Sequence, residues 1–369
     1  MTQLIATYLF DIGGELSSKE VQSICSSIGE IKKEKISQIY TSYFIEFGMT
    51  PVRTLTGEGS ASFCGMKVEF RTYVKVMTFG VALIEFSFDF GRQLNFEELR
   101  NAANCKSFAA NGREELLSRL AEEEFGRFMR AASGKFRQVY EPPSIVDSYW
   151  IIVDEKLKSD EEICATLLNE PLGTLSKEII GGMTKRAVTY SKRDKVVVSN
   201  ASSYIYAEEY PEDFINIIEL SRIQLFELKV YDIILDREMG KTYAMLENIP
   251  FTQGMLGLRL FSRRHKKLSE VALELMELRI ELVDMVKDVM NSMKVTDDIS
   301  LAYLYRRVNE EFRIGEWYES TKAKLEALGN VYKMVIDRLD MLRTYTVEFL
   351  ILVVIVLEVV IFAALGIFR

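Results

Sequence analysis

Residues able to do chemistry are few in this chain, and their spacing excludes most reaction classes. The chain has one histidine, His265. It lies beyond the N-terminal half, so a Ser-His-Asp or Cys-His relay is excluded there, and a His-rich metal site is excluded throughout. The four cysteines, Cys25, Cys64, Cys105 and Cys164, are far apart and form no C-x-x-C pair. They read as small buried residues of a reducing compartment rather than a disulfide framework or zinc site. The turns at Gly13-Gly14-Glu15 and Gly57-Glu58-Gly59-Ser60 fit neither G-x-x-x-x-G-K-[ST] nor G-x-G-x-x-G. One stretch, Ile180-Gly181-Gly182-Met183-Thr184-Lys185-Arg186, offers backbone amides and two cations that could cradle a phosphate. A plain loop between two elements explains the same residues. Carboxylates abound, but no pair stands out at a strand end. No catalytic residue, metal or cofactor is expected.

Two further groups of charges gain meaning only from what surrounds them. Arg263, Arg264, Lys266 and Lys267 follow the apolar Phe251, Met255, Leu256 and Phe261. Apolar side chains beside a basic cluster suit an anionic leaflet, at about 1 kcal/mol per cation near the surface. A solvated helix start packed on its neighbours is the alternative. Glu358 is the one ionisable residue within Phe349–Phe368, FLILVVIVLEVVIFAALGIF. At about 1.5 Å per residue this run just spans the roughly 30 Å of a bilayer's hydrocarbon. It lacks the polar stripe of a surface helix, so a single C-terminal transmembrane helix is expected over 349–368; the alternative is a core helix wrapped by protein. A carboxyl inside a span costs several kcal/mol unless it finds a partner. Glu358 is therefore expected to pair across copies of the chain, or else to mark a tilted or snorkelling helix.

The elements that must position these groups fall into three parts. Residues 1–206 alternate short apolar runs with helical patterns, which predicts a mixed α/β head domain with a partly antiparallel sheet. Leu4–Phe10 reads as a strand, and Ser17 and Ser18 offer an N-cap to a helix over Lys19–Ser27. Ile36–Phe47 is rich in β-formers. Arg71–Phe90 alternates strongly around Gly80, which suggests a hairpin or a bulge. Gly112–Ala132 has the pattern of an amphipathic helix, and strands are expected over Ser148–Asp154, Lys195–Val198 and Ser203–Ala207.

Residues 211–348 turn helical, beginning at Pro211 and broken before Pro250. Leu268, Val271, Leu275, Leu278, Leu282, Met285 and Val289 step by three and four without a miss, the seam of a coiled coil. A similar seam, Leu328, Tyr332, Val335, Leu339, Leu342, Thr346 and Phe349, leads into the apolar tail. Asp297 and Asp298 cap a shorter helix over Ile299–Phe312, and Gly315 is a candidate break. Long helices with short joints imply an antiparallel helical, coiled-coil stalk.

With 48% hydrophobic and 27% charged residues the chain can build a core, so disorder is not expected. A net charge of -8 argues against nucleic acid as a partner. The N-terminus lacks the basic start and apolar run of a signal peptide. Lys333, Arg338 and Arg343 precede the apolar run and only Arg369 follows it, which places the N-terminal bulk on the cytoplasmic side of a single-pass protein.

Asp337-Arg338-Leu339-Asp340-Met341-Leu342 before the tail, Glu348-Phe349 leading to Glu358, and the strand Thr78-Phe79-Gly80-Val81-Ala82-Leu83-Ile84 resemble segments of the required-for-meiotic-nuclear-division family of tail-anchored membrane proteins. Phe349 stands where that family has Trp, and Phe79 where it has Tyr. The resemblance implies a non-enzymatic membrane protein; organellar members of that family support translation at the membrane. The layout is also similar to CorA-type magnesium channels. Those need two spans and a G-M-N motif, whereas here one apolar run exists and Gly48-Met49-Thr50 lies in the head.

The expected protein is of the α+β class: a membrane-anchored, homo-oligomeric scaffold or tether with a cytoplasmic head. Its partners would be the lipid bilayer, anionic lipids included, further copies of itself and an unidentified protein. A channel-like assembly, or a head that binds phosphate or a nucleotide, is the alternative.

Overall fold

A computed structural model describes residues 1–32, 52–110, 113–136, 138, 140–189, 192–208, 211–247 and 299–367, with single positions at 273, 276, 280 and 283. The protein is α+β, with an N-terminal sheet domain followed by helices. It divides into two compact units, Met1–Val230 with Val286–Tyr318, and Tyr231–Met285 with Glu319–Arg369.

The first unit is built on one ten-stranded sheet. Its strands are β1 (Thr2–Asp11), β2 (Glu30–Lys32), β3 (Val52–Phe63), β4 (Met66–Val76), β5 (Val81–Asp89), β6 (Ser107–Ala110), β7 (Arg113–Leu116), β8 (Asp147–Asp154), β9 (Asp194–Val198) and β10 (Ser202–Ala207). They lie in the order β7-β6-β3-β4-β5-β1-β8-β10-β9, with β2 on β3. Among the described strands only β8 and β10 run parallel. Interleaved are α1 (Ser18–Ile28), α2 (Phe96–Ala103), α3 (Leu117–Ala132), α4 (Asp160–Leu168) and α5 (Lys177–Thr184). After the sheet come α6 (Pro211–Glu247), α7 (Ile299–Glu311) and α8 (Ile314–Ile367).

Strand β1 shows why the sheet is covered on both sides. Leu4, Ala6, Tyr8 and Phe10 point into a core shared with Val21, Ile24, Cys25 and Ile28 of α1, Leu99 of α2 and Phe128 of α3. The alternate residues Ile5, Thr7 and Leu9 are buried as well, so the opposite face also has a cover. Lys75 and Asp147 of that face meet Glu219 and Arg222 of α6, and Tyr149 packs edge-on against Phe312 after α7. Near-continuous apolar strands are what a doubly covered sheet requires.

Local signals set where several elements begin. Reciprocal capping boxes start α1 (Ser17 with Glu20), α2 (Asn95 with Glu98) and α4 (Ser159 with Glu162). Gly80 ends the turn between β4 and β5, so Arg71–Phe90 is a hairpin; its φ is 100°, and a Cβ there would lie 2.6 Å from the Gly14 carbonyl oxygen. The close approach is fixed by backbone bonds from Ile12 N–H to Gly80 O and from Leu16 N–H to Thr78 O, 2.9 and 2.7 Å. Only glycine satisfies both the backbone angle and the space.

Two sequence expectations change here. Residues Arg113–Leu116 form β7, paired with β6, and the helix begins at Leu117; pairing with a neighbour overrides local helical pattern. The break near Gly315 falls instead at Arg313, whose φ of 54° separates α7 from α8. The β-rich stretch Ile36–Phe47 lies outside the described residues.

In the second unit, Lys324 of α8 binds Asp232 and Asp236 of α6 at 2.8 and 2.7 Å. Leu328, Val331 and Val335 are buried there. Helix α8 continues through the apolar tail to Ile367. Among the described residues no helix is long and apolar enough to cross a membrane; the described side chains of the tail end at Ala363, while the sequence stays apolar to Phe368.

Candidate functional site

The densest chemistry in the first unit is a buried ionic network on the α6 side of the sheet. β3 supplies Arg53, β4 Lys75 and β5 Glu85, and α6 supplies Glu219. The strand register sets Arg53 directly opposite Lys75, a like-charged pair that is destabilising unless carboxylates intervene. Two do. Glu85 takes Arg53 at 2.8 Å and Lys75 at 3.0 Å, and Lys75 reaches Glu219 at 2.6 Å. The Arg53 guanidinium lies over the Tyr73 ring, 3.8 Å from its centroid. The side chains of Lys75, Glu85 and Glu219 are 4%, 2% and 6% exposed.

Burial treats the two carboxylates differently. It works against ionisation of Glu85, but Lys75 and Arg53 outweigh it and hold that carboxyl below its ordinary range. Glu219 shares Lys75 with Glu85; burial dominates, the neighbouring Glu85 charge adds to it, and Glu219 is pushed up to about 7. Its Oε1 has no hydrogen-bond partner among the described residues. The arrangement is two cations against one firmly ionised carboxylate and a second that holds a proton near neutrality.

One and nearly three turns further along from Glu219, α6 carries Arg222 and Lys229, which share Asp147 of β8 at 2.6 and 2.9 Å. The Arg222 guanidinium also stacks between Tyr149 and Phe312, 4.8 and 5.0 Å from their centroids. Gln224 accepts a 2.5 Å bond from the Tyr305 hydroxyl of α7. Near the β1–α1 loop, Tyr140 donates to Asp11 at 3.0 Å; burial and the charges of Asp11 and Glu227 raise the Tyr140 phenol. Helix α6 is thus held by polar groups along a buried face, where each broken pair leaves an uncompensated charge. Among the described residues no group of three or more His, Cys, Asp or Glu could hold a metal ion.

The sequence-predicted sites come out differently. Gly181 and Gly182 sit inside α5, where Lys185 N–H donates to Gly181 O at 3.0 Å. Helical amides are spent on the ladder, so Ile180–Thr184 form neither the expected loop nor an open cradle of backbone amides. Arg186 pairs with Glu311 at 2.9 Å at the edge of a cavity of about 570 Å³ that also holds Arg307, Glu310, Arg313 and Glu316. Each of these arginines faces its own glutamate, at 2.9, 2.8 and 4.0 Å, which leaves little positive field for an anion. The basic cluster Arg263, Arg264, Lys266 and Lys267 lies outside the described residues, as does the seam Leu268, Val271, Leu275, Leu278, Leu282, Met285 and Val289. The described neighbours Leu273, Met276, Ile280 and Val283 are helical and 42–59% exposed. Glu358 is exposed on α8. Of the cysteines, Cys25 and Cys164 are buried as expected, but Cys64 is exposed and Cys105 half-buried.

Sequence reasoning missed the ionic network, although a signal was present. Lys75 and Glu85 each sit inside an alternating apolar strand, in phase with Tyr73 and Leu83 respectively, both of which are buried. A charge at a core-facing phase needs a buried partner.

A doubly covered mixed sheet locked to a following helix by buried charges defines a sheet domain with a helical extension. Residues 1–212 match the family described as Uncharacterized protein MJ0711, N-terminal domain, and the chain belongs to that family. It is 25% identical over 210 residues to Uncharacterized protein MJ0711 of Methanocaldococcus jannaschii, a match covering 56% of this chain and 61% of that protein. No solved structure matches. Three residues of the network, Arg53, Lys75 and Glu85, fall within the family match, and Glu219 lies beyond it.

Proposed function

We infer that the chain is a membrane-anchored, self-associating scaffold or tether, with its sheet domain on the cytoplasmic side and no catalytic role. The observation that supports this reading is the continuity of α8. It runs unbroken for 54 residues into the apolar tail, where Leu350, Ile351, Leu352, Val354, Ile355, Val356, Leu357, Val359, Val360, Ile361 and Phe362 are each more than half exposed. A helix with no polar stripe belongs in lipid or in a protein core, and within the single chain these side chains are exposed. The resemblance of this segment to the anchors of the required-for-meiotic-nuclear-division family points the same way. The buried ionic network serves the scaffold by fastening the sheet to α6.

Alkaline carbonate extraction and liposome flotation of the full-length chain test the anchor. The expected result is that the chain stays in the membrane pellet and floats with the vesicles. Recovery of the whole product in the high-speed supernatant of gently lysed cells, without detergent, overturns it.

A further inference from the structure

The hairpin joining β3 and β4 turns on two residues, Cys64 and Gly65, between the paired Phe63 and Met66. Both have positive φ, 49° and 75°, the left-handed pair that Asn-Gly normally supplies. Cysteine is a costly choice there. Its thiol points to the end of α2: Cys64 Sγ donates to the Asn101 carbonyl oxygen at 3.5 Å. Cys105 folds back onto the same turn, its N–H donating to Ala102 O at 3.1 Å and its thiol to Ser107 O at 3.2 Å. The ladder between β3 and β6, Ser62 with Ala109 and Phe63 with Phe108, draws the two segments together. The Cys64 thiol and the Cys105 N–H thus take the carbonyls of two consecutive residues, Asn101 and Ala102, which sets both cysteines at the same end of α2. They are also the two cysteines that solvent reaches, the other two being fully buried.

We propose that Cys64 and Cys105 form a redox-responsive dithiol, closing to a disulfide that staples the β3–β4 hairpin to the α2–β6 junction. The oxidant is a small-molecule disulfide of the glutathione type. One protein thiolate attacks a sulfur of that disulfide and expels one small thiolate. The second protein thiolate then attacks the protein-bound sulfur of the mixed disulfide and expels the other. The protein loses two S–H bonds and gains one S–S bond. The two protons end on the two released thiols, and the small disulfide is the species reduced. Partial burial of its sulfur, together with the neighbouring Cys105 thiol, pushes Cys64 up to about 12, so Cys64 rests as a thiol at neutral pH and attacks faster as pH rises. Closing a loop of this length restricts the unfolded chain more than the folded one.

The test equilibrates the full-length chain in detergent with oxidised and reduced glutathione at stepped ratios, then acid-quenches, blocks free thiols with N-ethylmaleimide and maps peptides without reduction. The expected product is one peptide pair linked through Cys64 and Cys105, lighter by two hydrogens, reopened by dithiothreitol and accompanied by a higher melting temperature. In Cys64→Ser, Cys105 carries a glutathione adduct instead and the rise in melting temperature is lost. Cys64→Asn, which suits the turn, gives the same reading should the serine variant fold poorly. Separate glutathione adducts on Cys64 and Cys105 of the unmutated chain in fully oxidised buffer overturn the proposal. So does a disulfide that joins two chains.

Discussion

One ammonium, Lys75, serves two buried carboxylates at 2.6 and 3.0 Å, and the consequences can be read residue by residue. Glu219 holds its proton more tightly folded than unfolded. That contribution to stability is complete below its ordinary value of 4.5, declines as pH rises, and is gone above about 7. Relative to Glu219→Gln, which does not titrate, the unmutated chain should therefore lose up to about 3 kcal/mol between these limits. Urea melts of both proteins across that pH range measure it, and parallel curves would remove Glu219 from the explanation. Lys75→Met leaves two carboxylates facing each other without their shared cation and should cost about 3–5 kcal/mol. Cys64→Asn works in the other direction. Asparagine tolerates the left-handed φ of 49°, so thermal melts of the reduced protein should show a gain of about 1 kcal/mol.

At the scale of elements, the β4–β5 turn and the β1–α1 loop are locked through Gly80. Any side chain there meets the Gly14 carbonyl oxygen at 2.6 Å as well as an unfavourable φ. Gly80→Ala should destabilise by more than about 2 kcal/mol, whereas Gly134→Ala, where a Cβ meets nothing within 4 Å, bears only the conformational cost of its own φ of 74°. Comparing the two variants by denaturant titration separates the clash from the backbone term. Helices were legible where the cap or proline was followed up: Ser17 begins α1 and Pro211 begins α6, whereas α2 and α4 went unread although Asn95 and Ser159 carry the same capping box. The stretch Arg113–Leu116 was not legible, because its strand pairing with Ser107–Ala110 depends on a neighbour and not on its own residues.

For the molecule as a whole, the testable issue is what the apolar end of α8 contacts. Truncation after Val347 removes the apolar run and leaves the charged part of α8, so the shortened chain should stay at the bottom of a flotation gradient in which the full-length chain rises. Glu358→Leu tests self-association within the bilayer. Chemical crosslinking of the variant in liposomes should give fewer oligomers than the unmutated chain, and equal yields would assign Glu358 no pairing role.

The residues by themselves determined the α+β class and the places of β1, β4, β5, β8, β9 and β10 and of α1 and α6, because periodicity, caps and composition act over a few neighbouring positions. They also carried the apolar tail, since length and hydropathy need no partner to be read. Only the tertiary structure decided that Lys75 joins Glu85 to Glu219 and that Cys64 and Cys105 meet at the end of α2, facts made by segments far apart in the chain. The helical state of Gly181 and Gly182 is local, capped by Ser176, and was hidden because two glycines favour a loop. Local sequence can state that a buried lysine requires a carboxylate; which carboxylate answers is settled when the sheet and α6 come together.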